Sequence, residues 1–248
     1  MNSKSKLYAG IQLAAVCLVP VWLSAQSPAV PTMDHEPHHH LALHNDYAKV
    51  FNVEVAPGDS IILHSHDQDT IAIAIGDQLV TVGIPGKTSS PSKNADGQVR
   101  LQRSGYIHST HVDGDTPYHT VAIELMQPQT NFHNVCAEIL PGLPLNCPVI
   151  DPKLPAPSGN QLLLESNETR ASFVRVLPHK STKVGESGPE VVVALDAATI
   201  SGASKEPAKT LKPGDFVWLE GGAGHGRAYK NPGAKDARFI EITFQPVK

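Results

Sequence analysis

Two stretches of this 248-residue chain carry the same landmarks in the same order, and no other feature limits the fold as strongly. Sliding the sequence by 121 residues lays Val53-Glu54-Val55-Ala56-Pro57 over Val174-Arg175-Val176-Leu177-Pro178, Asp69 over Glu190, and the apolar run from Ile71 over that from Val192. An offset of 117 superimposes Gly97 on Gly214, Gly105 on Gly222, His108 on His225 and Glu124 on Glu241 without a gap. A repeat of this length points to a duplicated domain, because solenoid units are shorter. The repeated unit is written in short strands. Val50, Val53 and Val55 begin one, and Ser60 to His66 form the next. Thr70-Ile71-Ala72-Ile73-Ala74-Ile75 alternates large and small side chains, as a strand packed on both faces does. Leu79 to Ile84, Val99 to Leu101 and Thr120 to Leu125 follow, while Ile84 to Gly97, rich in Ser, Pro, Gly and Asn, reads as a loop. Helical periodicity is almost absent from the first half. Short strands with turns between them specify an all-β barrel or sandwich in each copy.

The flanks set the compartment. Lys4 and Lys6 form a positive n-region, Leu7 to Leu23 is nearly all apolar, and Ser24-Ala25-Gln26 offers a small-residue cleavage site, so residues 1–25 read as a signal peptide. The apolar stretch, broken by Gln12 and Pro20, falls short of the roughly 20 residues of a permanent span. The expectation is an exported protein, periplasmic or secreted, with no stable membrane span after cleavage. Residues 26–45 are rich in Pro and His with little apolar patterning, and read as a flexible arm. Its His35, His38, His39, His40 and His44 suit either loose capture of Zn, Ni or Cu or a merely polar leader. Residues 46–126 form the first lobe, 127–165 a Pro-rich linker and 166–248 the second lobe. Cys136 and Cys147 lie in the linker, where export permits a disulfide; a zinc pair is the weaker alternative, as no further Cys or close His completes it. Removing Lys4 and Lys6 takes the formal charge from −4 to −6. A mildly acidic chain without a basic stripe is not built to neutralise phosphates, which argues against nucleic acid as a partner.

The chemistry concentrates in the first lobe. His64 and His66 flank one residue on an apparent strand, so both imidazoles leave the same face. Asp69 follows across a short turn, and His108 comes later on a neighbouring strand. Three imidazoles and one carboxylate on a rigid β scaffold suit one divalent transition metal, Fe, Mn, Ni, Cu or Zn, with room left for water or substrate.

These residues resemble the cupin family. Its first motif runs Gly, five residues, His-x-His, three or four residues, Glu, six residues, Gly; this chain reads Gly58, five residues, His64-Ser65-His66, two residues, Asp69, six residues, Gly76. The second motif ends in Gly, two residues, His, matched by Gly105-Tyr106-Ile107-His108, with Gly97 as its opening glycine. The resemblance covers residues 50 to 125 and, in degenerate form, 172 to 245. It implies two double-stranded β-helix (jelly-roll) barrels, that is, a bicupin. It also implies His64, His66 and His108 as metal ligands, Asp69 in the place of the Glu, and pairing of barrels through sheet faces into a homodimer. Three positions depart from the pattern. Asp69 is one methylene shorter than Glu and arrives one residue early, Arg103 stands for the usual Pro, and Val112 for an Asn.

In the second lobe Gly185 and Ser187 take the places of His64 and His66, leaving Glu190 and His225. One carboxylate and one imidazole are too few for a tight transition-metal site, so this lobe reads as a packing partner. The function expected is a metal-dependent enzyme acting on a small-molecule substrate, with oxygenase, decarboxylase or isomerase chemistry all compatible with the fold. A non-catalytic exported protein that binds a metal or small ligand, or a purely structural bicupin, is the alternative.

Overall fold

The computed structural model describes residues 29–134, 138–140, 159–183, 188–201, 209–221 and 228–245. The signal-peptide reading of residues 1–25, the pairing of Cys136 with Cys147, and Gly185, Glu186, Ser187, Gly222 and His225 fall outside them. The first lobe contains β1 (His39–His44), β2 (Ala48–Val55), β3 (Ser60–Ser65), β4 (Thr70–Ala74), β5 (Gln78–Gly83), β6 (Ser90–Asn94), β7 (Val99–Gln102), β8 (Ile107–Val112) and β9 (Tyr118–Leu125). The connector supplies β10 (His133–Asn134) and β11 (Glu138–Leu140). The second lobe contains β12 (Gly159–Glu165), β13 (Thr169–Val176), β14 (Ser181–Lys183), β15 (Glu190–Ala194), β16 (Ala198–Ser201), β17 (Lys209–Leu211), β18 (Phe216–Leu219), β19 (Ala228–Lys230) and β20 (Ala237–Phe244).

Each lobe pairs a six-stranded sheet with a four-stranded one. The orders are β1-β2-β9-β4-β7-β11 with β3-β8-β5-β6, then β10-β12-β13-β20-β15-β18 with β14-β19-β16-β17. The duplication inferred from sequence is therefore a duplication of topology. The connector crosses over, since β10 joins the second lobe's sheet and β11 lies parallel to β7 in the first.

Period-two patterning explains how the lobes assemble. On β4, Ile71 and Ile73 face outwards, and Val121, Ile123 and Leu125 of β9 share that face. They form one core with Phe173, Val191, Val193, Ile240 and Ile242 of the second lobe. The outer faces of the two large sheets thus pack against each other between the lobes. Arg238 fastens the edge of this interface, donating to Asp196 at 2.7 Å within its lobe and to Asp96 at 2.7 Å across it. Gly214 (φ +84°) approaches His119 so closely that a Cβ would lie 2.2 Å from the imidazole, so both backbone conformation and space require glycine.

Several expectations need correction. Residues 33–44 are not a free arm. They form a short 3-10 turn (Met33–His35) and then β1, which pairs antiparallel with β2. Met33 is fully buried, and the backbone of Ser65 donates to Pro31 O at 2.8 Å. The polar composition hid this because β1 is an edge strand with only one inward-facing imidazole. The expected loop 84–97 contains β6, another edge strand, whose Pro91 and polar side chains suit a position with a neighbour on one side only. The repeat also slips by one residue. Leu125 N donates to Asp69 O as Phe244 N does to Pro189 O, so Pro189 is the counterpart of Asp69, and Glu190 that of Thr70. A one-residue slip on a strand exchanges its faces, so Glu190 is no second-lobe version of Asp69. Glu241 likewise matches Ala122, not Glu124, because Ser172↔Glu241 repeats the pair Phe51↔Ala122. The offset of 117 holds for Gly97 and Gly214, whose amides donate to Ala74 O and Ala194 O.

Candidate metal centre

The metal candidates are set by the β3–β8 pairing. His64 lies directly opposite His108, and the pairing continues past the strand end through His66 N to Tyr106 O (3.0 Å) and Gly105 N to His66 O (2.8 Å). Gly105 adopts φ +81°, which allows the tight turn that feeds β8; this is the physical content of that motif glycine. β3 shifts register between Ile61 and His64, and the bulge aims Ile62 O at the His64 ring.

His64, His66 and His108 are all buried, and their donor atoms lie within 4.8 Å of one another. Each Nδ1 faces the protein. His64 Nδ1 donates to Ile62 O at 2.9 Å, His66 Nδ1 meets Thr70 Oγ1 at 3.1 Å, and His108 Nδ1 approaches Thr110 Oγ1 at 3.5 Å. A carbonyl only accepts, so the His64 proton sits on Nδ1 and its Nε2 is a bare lone pair. That Nε2 is buried without a hydrogen-bond partner, which costs about 1–3 kcal/mol unless something electrophilic meets it. His66 Nε2 and His108 Nε2 are 3.0 Å apart, the separation of two ligands at right angles about 2.1 Å from one ion. Burial pushes His64 down to about 4 and His66 to about 3, and lowers His108 well below the ordinary histidine value. All three rings are therefore neutral at pH 7, the form that binds metal without displacing a proton. The residues present fit a divalent transition metal.

Asp69 is outside the cluster. Its Oδ1 accepts from Ser104 N at 2.8 Å and lies 3.2 Å from Arg103 Nε in an ion pair. Two of the departures from the cupin pattern, Asp69 for Glu and Arg103 for Pro, are thus one feature: the shortened carboxylate and the new guanidinium hold each other. Sequence reading weighed these positions separately and missed the pairing.

Below the cluster the first barrel is hollow, with a wall of mixed polar and apolar side chains. The inward faces present Ala72, Ala74, Arg100, Gln102, Thr110, Tyr118 and Thr120, and these with Asn94 and His108 line a cavity of about 30 Å³ with no carboxylate on its wall. The alternating Ile/Ala run of β4 states this arrangement in sequence, with isoleucines to the lobe interface and alanines to the cavity. In the second barrel, the positions of Ala72, Arg100, Gln102 and Thr120 hold Val192, Val217, Leu219 and Phe239, which pack into one buried cluster with Tyr229. The second lobe is filled where the first is hollow.

Glu124, buried on the inner face of β9, lies 3.7 Å from Lys49 Nζ, which also pairs with Asp34 at 2.5 Å. Burial outweighs the attraction of Lys49 and raises the carboxyl from 4.5 to about 7. A raised carboxyl contributes stability that is complete below its unfolded value and is lost as pH rises through the folded one. Between pH 5 and 8 Glu124 therefore contributes a fall in stability on the order of 3 kcal/mol, set against the opposing rise from the three depressed histidines. Urea unfolding at both pH values should show Glu124→Gln gaining stability relative to the wild type as pH rises, by that amount; an unchanged difference between the two pH values would clear Glu124.

No protein-family model matches the sequence, and no curated protein is similar to it in sequence. Solved structures match it in fold. A cupin 2 conserved barrel protein from Leptotrichia buccalis superimposes with a TM-score of 0.53 at 10% identity, covering 83% of this chain and 87% of its own. Salicylate 1,2-dioxygenase from Pseudoaminobacter salicylatoxidans, solved as adducts with gentisate, gives 0.54 at 12% identity over 80% of this chain and 68% of its own. An oxalate decarboxylase gives 0.52 at 15% identity over 80% and 69%. The architecture is the cupin fold. Within it the chain has two such lobes, the first hollow and bearing the histidine cluster, the second filled among its described residues.

Proposed function

We propose that this is an exported, metal-dependent bicupin enzyme acting on a small anionic molecule by oxygenase, decarboxylase or isomerase chemistry, with its first lobe as the site. The observation that carries this reading is the set of three buried, neutral imidazoles with converging nitrogens, one of which, His108, also lines a cavity whose wall includes Arg100. Bound there, a divalent ion supplies a Lewis acid with coordination positions left open. The protein supplies the rest. Ile62 O fixes the tautomer of His64 and Thr70 Oγ1 holds His66 by its Nδ1, and outer partners of this kind orient ligands and tune them. Arg100, donating to Ser92 Oγ at 3.1 Å, brings a fixed positive charge to the wall, which favours an anionic guest. Gentisate and oxalate, named with two of the similar structures, are small carboxylates and agree with that preference. Export rests on the character of residues 1–25.

The cavity is small, about 30 Å³, so a substrate that enters it is compact. The same narrowness favours the second reading, a protein that holds metal or a small anion without turnover. Elemental analysis of purified protein should find about one tightly held equivalent of Fe, Mn, Ni, Cu or Zn. Small carboxylates and azide should then perturb the spectrum of the Co(II)-loaded protein, and Arg100→Gln should weaken that response. Absence of any tight equivalent would overturn both readings; metal and anion binding without turnover would leave the second.

A further inference from the structure

The expected ligand Asp69 is engaged elsewhere, while a histidine that no motif specifies stands beside the cluster. Resting on the reading of His64, His66 and His108 as a metal centre, we propose that His39 is its fourth imidazole donor, delivered by the N-terminal strand and positioned by Glu36.

Geometry carries the case. His39 is registered opposite Val53, whose side chain packs inside the first barrel, and residues directly opposite on antiparallel strands share a face. His39 therefore turns inwards, whereas His40, opposite Asn52, is exposed. The His39 ring lies 4.8 Å from that of His64, within the 4.5 to 5.1 Å spread of the three cluster rings among themselves. Phe51 supports it edge-on at 6.1 Å.

Its Nδ1 meets Glu36 Oε2 at 2.7 Å, with side-chain exposures of 5% for His39 and 0% for Glu36. The buried carboxylate holds the ring by Nδ1 and leaves Nε2 as the nitrogen available to a ligand. This is the carboxylate–histidine arrangement that orients metal-binding imidazoles. Glu36 is itself locked. It accepts from His38 N at 2.8 Å and from Ile62 N at 3.3 Å, and Ile62 O receives the His64 proton. One carboxylate thus ties the N-terminal strand, the β3 bulge and two imidazoles together. His39 stands just outside the group whose donor atoms all lie within 4.8 Å, so ligation takes a reorientation of its ring, for which the Glu36 hydrogen bond is the pivot.

The test uses the full chain and Co(II), with affinity measured by chelator competition and coordination by visible absorption. His39→Phe keeps the ring volume but removes both nitrogens; it should weaken binding at least tenfold and change the absorption envelope. Glu36→Gln should shift both readouts the same way by less, a role for Glu36 as a positioning residue. His40→Ala measures loose binding by exposed histidines and should leave both unchanged. If His64→Ala abolishes tight binding while His39→Phe and Glu36→Gln keep wild-type affinity and spectrum, the fourth donor is refuted and the three-histidine centre stands. If tight binding survives His64→Ala, the centre itself is misassigned and this inference falls with it.

Discussion

Replacing His108 with alanine should strip the first lobe of tightly bound metal. The loss should exceed the roughly ten- to hundredfold cost of removing an outer-shell partner, because His108 Nε2 is one of the two nitrogens spaced for a single ion. The same result is expected for His66→Ala. Asp69→Ala is the informative contrast. Its carboxylate is bound to Ser104 N and Arg103, so the variant should keep its metal equivalent and lose only stability. Equilibrium dialysis followed by elemental analysis reads all three. Metal loss in Asp69→Ala comparable to that in His108→Ala would restore the carboxylate to the ligand set.

Ile123→Ala should destabilise the whole chain by about 2–5 kcal/mol, although the residue touches no part of the metal centre. Ile123 is fully buried in the core that both lobes share, between Ile71 and Ile73 on one side of the interface and Ile240 and Ile242 on the other. A cavity there is felt by both barrels. In a domain pair of this size the midpoint should fall by several degrees, at roughly 2–4 °C per kcal/mol. Calorimetry should show one cooperative transition before and after the substitution. Two separated transitions, with only the first-lobe peak displaced, would show that the barrels fold independently and that the shared core contributes little to their coupling. One transition would also explain why a lobe with a filled barrel persists: its large sheet covers apolar surface that the first lobe leaves open.

Much of this protein was legible in order and pattern. Short strands of period two gave the all-β class, and the recurrence of Val53-Glu54-Val55 as Val174-Arg175-Val176 gave the duplication. The spacing of His64 and His66 gave two imidazoles on one face, and the resemblance to the cupin motifs added His108. The alternation of isoleucine and alanine on β4 even encoded which face is packed and which is hollow, although nothing in the sequence said which was which.

Tertiary structure decided what depends on register and on contacts between distant segments. An alignment cannot separate an offset of 120 from 121 around Asp69, yet that single residue moves Glu190 to the opposite face of its strand. The Asp69–Arg103 pair closes across 34 positions of sequence and is visible only when β4 and β7 are brought together. His39 was one of five similar histidines in a polar stretch. Only the pairing of His39 with Val53 turns that ring towards the cluster, and only the burial of Glu36 beside it gives it a fixed partner. Local pattern determined the strands and the shared face of His64 and His66 because side-chain direction on a strand is set by the backbone itself. The surroundings of the three-histidine centre were decided by packing, because which segment closes the barrel depends on free energy summed over contacts that no short stretch of sequence contains.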